Sequence, residues 1–429
     1  MTAIPDVVIV GAGTAGAAAA LHCARAGLAT VCLDRRPLGE AGARWVNGVP
    51  AWAFDETDLP RPVRPELRGD GAPFHLVVGW GPDRLTVDRH GVLEVDMRAL
   101  TDRLQRLATA AGATFVGDAR VTGFDGADRL DTTAGPFRAR LAFVDASGLG
   151  GAGLLPSPTI PRADICAAAQ YVHDLADRDA ANAFLARFGA AGGEAVCFTG
   201  VAGGYSIVNV RVHGDDVSIL TGSIPALGHA SGARLHADFV AAHPFVGPAR
   251  FGGARPIPLA RPHARLASAR DALLGDAGAQ VFPAHGSGIA AQLVGARLLA
   301  DALSAGEGPL GYQRRWQRAW GGLFAAYGVF RRFSETLSPE DLGALVAAGL
   351  LDPDGARAGM AQRWPRPDLT HLARLARAAA RYPGAARRLA PVLARMALAP
   401  AIYRAFPRDP ARVPAWDRVA SRVLDRPTA

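Results

Sequence analysis

The feature that most constrains this chain lies at its start, where Val7-Val-Ile-Val10 runs into Gly11-Ala-Gly13-Thr-Ala-Gly16. Four apolar, mostly β-branched residues predict a buried parallel strand. Gly11, Gly13 and Gly16 spell a Gly-x-Gly-x-x-Gly turn, and the small residues of Ala17–Ala26 predict a helix that can lie close to a sheet. A second strand over Ala29–Leu33 ends in Asp34, about 20 residues beyond the turn, the spacing of a dinucleotide-binding unit. Each part has a physical task. Gly11 permits the tight turn, Gly13 lets the backbone approach a pyrophosphate, and Gly16 lets helix and strand touch. The helix N-terminus faces the phosphates and the Asp34 carboxylate accepts hydrogen bonds from a ribose diol. Arg35 and Arg36 follow, but Asp34 repels a 2′-phosphate, so the expected ligand is an ADP-ribose without one.

A chain of 429 residues is long enough for two closely packed domains and an appendage. Its formal charge is +8, and because it contains no lysine all 47 basic residues are arginine. With 50 Gly and 31 Pro beside them, this reads as compositional bias, and no arginine/aromatic stripe accompanies it, so no nucleic-acid partner is expected. Cys23, Cys32, Cys166 and Cys197 form no Cys-x-x-Cys pair and read as structural thiols of a reducing cytoplasm; no metal site is expected. The first strand begins too near Met1 to leave room for a secretory signal, and no apolar run of ~18 residues predicts a membrane span.

Beyond Asp34, the segment Ala41–Pro50 is Gly-rich and predicts a loop, yet it carries Arg44, Trp45 and Asn47 close to where a cofactor's reactive ring would lie. Short strands are predicted over Phe74–Trp80, Arg84–Val87 and Gly91–Val95, and Asp96-Met-Arg98 opens an amphipathic helix. Ala142–Asp145 is another apolar strand, ending in Asp145-Ala-Ser-Gly148. Cys166–Val172, Ala195–Gly200, Gly204–Val212 and Asp216–Ser223 read as successive antiparallel strands. Tyr205, Asn209 and Arg211 alternate there and can share one face. A second turn, Gly275-Asp276 followed by Pro283-Ala-His285-Gly286-Ser287-Gly288, leads into a helix whose N-terminus again faces an anion or a carbonyl. From about residue 311 the pattern is helical. Leu369–Ala429, rich in Leu, Ala and Arg, is expected to break at Pro383, Pro391, Pro400 and Pro407, as a solvated cap or a surface for a partner protein or acidic membrane.

Three ordered stretches, Gly11–Gly16 with Asp34, Asp145–Gly148 and Gly275-Asp276…Pro283–Gly288, resemble the signature of FAD enzymes with the para-hydroxybenzoate hydroxylase fold. That superfamily contains aromatic monooxygenases, flavin-dependent halogenases and geranylgeranyl reductases. The resemblance implies that Asp276 binds the ribityl chain, that the loop Pro283–Gly288 offers N–H groups to the flavin's pyrimidine end, and that Arg98 lies near the phosphates. Gly275, Arg35 and Asn47 join the expected cofactor set. Departures from the family pattern narrow the branch. Halogenases carry a lysine and a Trp-x-Trp-x-Ile-Pro segment, and this chain has neither. Tyr205-Ser-Ile-Val-Asn209 lacks the aromatic and proline of the geranylgeranyl reductase segment Tyr-x-Trp-x-Phe-Pro. Ala279 stands where single-component hydroxylases carry the His of Gly-Asp-x-x-His.

The fold implied is α/β: a Rossmann-like FAD-binding domain formed from 1–160 and 261–320 with a small β insertion near 70–95, an inserted mainly antiparallel β substrate domain over 161–260, and a C-terminal helical extension over 321–429. The activity implied is hydroxylation of an aromatic ring by O2 activated on the reduced flavin, with electrons from NADPH or a separate flavin reductase. One branch of the superfamily hydroxylates a protein-borne tryptophan during tryptophylquinone maturation, and C-terminal helices suited to docking a protein or peptide would fit that role. His285, which titrates near neutral pH in its free form, is the candidate acid or base. Trp45 and Tyr205 are candidate substrate contacts. Two other readings are an FAD-dependent C=C reductase of an isoprenoid resting on a membrane surface, and a non-catalytic flavin-binding assembly protein.

Overall fold

Val7–Val10, fully buried on both faces, is the middle strand of a five-stranded parallel sheet. The computed structural model describes residues 4–425. Thr30–Leu33 and Thr114–Val116 lie on one side of the middle strand, and Ala142–Asp145 and Asp271–Leu273 on the other. The helix Thr14–Arg25 starts directly after Gly13, earlier than its alanine run predicted. Its closeness to the sheet rests on Gly16, where a Cβ would run into the carbonyl oxygen of Gly11. Alanines on its outer side let the helix Ile289–Ser304 lie against it, and the two helices bury their small side chains in one core.

Val46–Pro50 is a strand, where a loop was expected over Ala41–Pro50. It pairs antiparallel with Val92–Asp96, which also pairs with Leu67–Asp70. Val46 and Val49 are buried, and Gly48 admits the Val92 side chain. Tertiary pairing thus overrides the loop-forming composition. Asp96 caps the helix Met97–Ala110 by accepting the Arg98 backbone N–H.

The largest sheet has seven strands, in the spatial order Val246–Pro258, Ile165–Leu175, Asp216–Ser223, Ser206–His213, Ala195–Thr199, Phe74–Val78 and Arg84–Val87. All pairs are antiparallel except Ala195–Thr199 with Phe74–Val78. The pair Phe74–Val87, expected as an insertion of the FAD-binding region, is therefore hydrogen-bonded into this sheet. The edge strand Val246–Pro258 escaped the sequence pattern because it reads Val-Gly-Pro-Ala-Arg-Phe-Gly-Gly-Ala-Arg-Pro-Ile-Pro, without alternation. Prolines are tolerated at an edge, where no neighbour needs the missing N–H.

Helices fill the chain beyond residue 308. Ser338 and Asp341 form a capping box at Pro339–Ala347. Pro383–Arg404 is one helix, not the broken series expected, and Pro391 and Pro400 lie inside it. Packing holds it together. Leu389, Val392, Ala399 and Tyr403 are buried against Gly322–Ser334, where Gly322 and the preceding Gly321 admit Pro400 and Tyr403. Two arginines tie this helical region to the sheets. Arg331, fully buried, pairs with Asp164 and Glu335. Arg261 binds Asp417, Asp425 and the Tyr403 hydroxyl. All four cysteines are buried free thiols, and burial pushes Cys23, Cys166 and Cys197 up to about 12. Among the described residues no helix is long and apolar enough to cross a membrane.

Gly16→Ala is expected to cost at least about 3 kcal/mol, because neither the Gly11 carbonyl nor the helix can give way. Gly39→Ala, where a Cβ meets nothing, should stay within about 0.5 kcal/mol of the parent. Urea midpoints of the two variants check this.

Candidate FAD-binding site

A cleft of about 1190 Å³ opens where the parallel sheet, the small sheet and the seven-stranded sheet meet. At its floor Gly11 has φ +102°, and a Cβ there would lie 2.5 Å from the Ala146 carbonyl, so the turns at 11–13 and 146–148 are in backbone contact. Thr14–Arg25 begins at Gly13 with no side-chain cap, which leaves its first N–H groups free for an anion. Asp34, 6% exposed, accepts the Ala12 N–H at 2.9 Å and the Arg36 N–H at 3.0 Å. Besides being an acid aimed at a diol, it thus fixes the glycine turn. Asp145 does similar work on the other side, accepting the Ser147 N–H and hydroxyl and the Ala152 N–H.

The opposite end of the cleft is built by Gly275–Gly278 and the loop before Ile289–Ser304. Asp276 accepts a hydrogen bond from Gln292 at 3.2 Å, and burial pushes its carboxyl upward. Phe282 and Ser287 close the loop by an antiparallel bridge, and the Ser287 hydroxyl donates to the Gly48 carbonyl at 3.3 Å, tying the loop to the small sheet. Gly288 precedes an uncapped helix, a second set of free N–H groups. His285 Nδ1 accepts the Ser287 N–H at 3.3 Å, which assigns the proton of the neutral ring to Nε2. Nε2 is buried, and the Gly359 backbone stands close enough to His285 to favour its proton. Burial lowers the His285 pKa to about 4, so the near-neutral titration expected of it does not hold: at pH 7 the ring is neutral and offers a donor.

Of the residues singled out in the sequence, Gly11, Gly13, Asp34, Trp45, Asn47, Tyr205, Asp276, His285, Gly286, Ser287 and Gly288 line the cleft together. Gly16, Gly275 and Pro283 stand behind that wall. Arg35 points to solvent, and its neighbour Arg36 enters instead. Arg98, expected near the phosphates, pairs with Asp96 at 2.7 Å and stacks over Phe251 at 3.4 Å, outside the lining. Its place is taken by Arg255, which sequence reading missed because it lies on the Gly/Pro-rich edge strand. Arg255 donates to the Gly42 carbonyl and lies 5.8 Å over Trp45, with no carboxylate ion pair among the described residues. Arg36 Nε makes no hydrogen bond and lies 3.7 Å from the Asp34 carboxylate. Two arginines beside an uncapped helix, one acid at each end and a backbone cradle match the donor set of a dinucleotide with a ribityl arm. The residues fit FAD.

Comparison with known proteins agrees. Residues 6–62 match the family described as DAO, FAD dependent oxidoreductase. A curated relative, the L-aspartate oxidase of Streptomyces coelicolor, is 47% identical over 84 residues, 18% of this chain and 14% of its own length, so the match spans only a small part of that protein. Solved structures share the fold over nearly the whole chain. A geranylgeranyl bacteriochlorophyll reductase-like protein of Thermoplasma acidophilum has a TM-score of 0.71 at 18% identity, covering 91% of this chain and 99% of that one. The halogenase PltM has 0.64 at 15% identity, covering 99% and 93%. The p-nitrophenol 4-monooxygenase of Pseudomonas putida has 0.61 at 16% identity, covering 86% and 100%. The chain thus has the fold of the para-hydroxybenzoate hydroxylase superfamily of FAD-dependent oxidoreductases. Its cofactor is FAD.

Arg255→Met should weaken FAD at least about tenfold by removing one phosphate-facing cation. Fluorescence titration of the apoprotein measures it, with Arg98→Met, away from the cleft, as the unaffected control. His22, His236 and His285 are each lowered to about 4. These three imidazoles therefore bind more protons in the unfolded chain than in the folded one between about pH 4 and about 6.5, and the stability they contribute falls as pH drops through that window. Melting temperatures across it should decline steadily and be level above it.

Proposed function

We propose that this protein is an FAD-dependent monooxygenase that hydroxylates an aromatic substrate. The observation that carries the reading is a second chamber of about 680 Å³ adjacent to the FAD cleft, the two sharing Asn47, Gln170 and Leu220 as wall residues. Asn209, Arg211, Ser218, Glu94 and His90 also line that chamber, with Phe74 and Met360. Such walls suit a compact molecule with a polar edge and would desolvate badly around a long isoprenoid.

In this reading the free N–H groups at Thr14–Arg25, with Arg36 and Arg255, hold the pyrophosphate. Asp34 holds the ribose and Asp276 the ribityl hydroxyls, while the backbone N–H groups of residues 286–288 meet the pyrimidine edge. FAD, when bound and reduced, supplies the activation of O2. One oxygen atom enters the ring and the other leaves as water, with two electrons and two protons drawn from NADPH or a separate flavin reductase. His285 contributes its Nε2–H as a fixed donor beside the flavin loop and keeps that proton at neutral pH. Tyr205 and Trp45, both largely buried, exclude water from the junction.

The test is to release and identify the cofactor, reduce the holoprotein without oxygen, and then add air with phenols, indoles or indole-containing peptides. Oxygen-dependent gain of one oxygen atom by the substrate is the expected result, and the size of the preferred substrate separates free from peptide-borne rings. Anaerobic NADPH oxidation driven by a polyprenyl substrate would assign the protein as a C=C reductase. A flavin that no reductant reaches without unfolding would make FAD structural.

A further inference from the structure

One face of the seven-stranded sheet carries a polarity gradient away from the flavin loop. Ala168, Gly222 and Ile207 are paired across three strands and form a row of small and apolar residues at the FAD cleft. Tyr205 lies beside this row, its hydroxyl 3.3 Å from where a Gly286 Cβ would stand. The next row on the same face is Gln170, Leu220 and Asn209, paired in register. The row beyond is Ser218, Arg211, Ala195 and Phe74.

Charge in the outer row is cancelled. Arg211 pairs with Glu94 and donates to the carbonyls of Gly193 and Arg68. Both His90 nitrogens are engaged, with the Ala72 carbonyl and the Val92 N–H, and burial lowers its pKa. What remains unmatched is amide. Gln170 is 5% exposed, and its Nε2 donates to the Ser218 hydroxyl at 3.3 Å. Its Oε1 is buried with no partner. Gln170 lines both the cleft and the chamber, as does Asn47 on the facing small sheet. A buried carbonyl oxygen left unpaired is costly, and it favours a ligand that brings a donor.

We propose that this chamber binds a neutral aromatic molecule bearing an N–H or O–H, and that the Gln170 carboxamide oxygen receives that hydrogen. With the donor held at the Gln170 row, the rest of the ring extends over Ala168, Gly222 and Ile207 towards the flavin loop. A free carboxylate or phosphate finds no uncompensated cation in the chamber. The inference rests on the oxygenase reading only for which end of the ring reacts.

The experiment is equilibrium binding to the oxidised holoprotein, without turnover, followed by calorimetry and by perturbation of the flavin spectrum. The probes are matched pairs that differ by one masked donor: phenol with anisole, and indole with 1-methylindole. The donor-bearing member should bind at least about tenfold tighter in one or both pairs, the size expected when a buried acceptor is left unsatisfied. Gln170→Leu should abolish the difference, and Gln170→Met should do the same if the first variant does not fold around FAD. Equal binding of the pair members, tighter binding of the ether or N-methyl member, a preference that survives both substitutions, or no binding of either pair would overturn the proposal. Oxygen-dependent hydroxylation is measured separately. A preference without oxygenated product keeps the chamber and removes the oxygenase; product without a preference does the reverse.

Discussion

The close approach of Gly16 to the Gly11 carbonyl, which leaves no room for a Cβ, is the constraint on which the rest depends. It lowers Thr14–Arg25 onto the parallel sheet, so that the helix N-terminus opens at the floor of the cleft. Asp34 then locks the turn from the neighbouring strand through the Ala12 N–H. Asp145 fixes the adjacent turn, whose Ala146 carbonyl lies against Gly11. Had the chain a side chain at either glycine, strand, helix and both loops would separate, and the acid at Asp34 would no longer stand beside the anion-facing N–H groups.

The same contact explains why so much of the cofactor half was legible. A tight turn with close backbone approach demands glycine at fixed spacing, and a parallel strand buried on both faces demands an apolar run, so local sequence and global fold agree there. Arg98 and Arg255 mark where that agreement ends. Arg98 was expected at the cleft and Arg255 was not, and it is the pairing of Ile165–Leu175 with an edge strand whose composition carries no strand signal that brings Arg255 in. The strand at Val46–Pro50 and the unbroken helix Pro383–Arg404 were missed for a related reason: their partners lie far away in sequence, and packing overrides what glycine and proline favour locally. His285 was found by position. Its protonation was not legible, because burial against Phe282 and the loop backbone, and not residue type, sets it.

The helical region from residue 308 onward is bound into the architecture by charge as well as by packing. Arg331 is fully buried and paired with Asp164 and Glu335, and removal of either acid would leave a core guanidinium with half its countercharge. Arg261 performs the same anchoring at the far end. Pro353–Met360, whose last residue lines the second chamber, is tied down separately, by Arg357 donating to the Asp88 carbonyl.

Trp52, stacked on Trp320 at 5.2 Å, donates to the Ala361 carbonyl at 2.7 Å, and Arg363 lies 3.7 Å over its ring. This clasp joins one of the first segments of the chain to one of the later ones, next in sequence to Met360 of the chamber wall. The walls of the FAD cleft are complete by Gln292, whereas Met360 and its clasp come much later in the chain. During synthesis from the N-terminus, every residue that lines the FAD cleft therefore emerges before Met360 and the clasp do. The order of the sequence thus makes the chamber wall, and not the cofactor cleft, the part that waits for the later part of the chain.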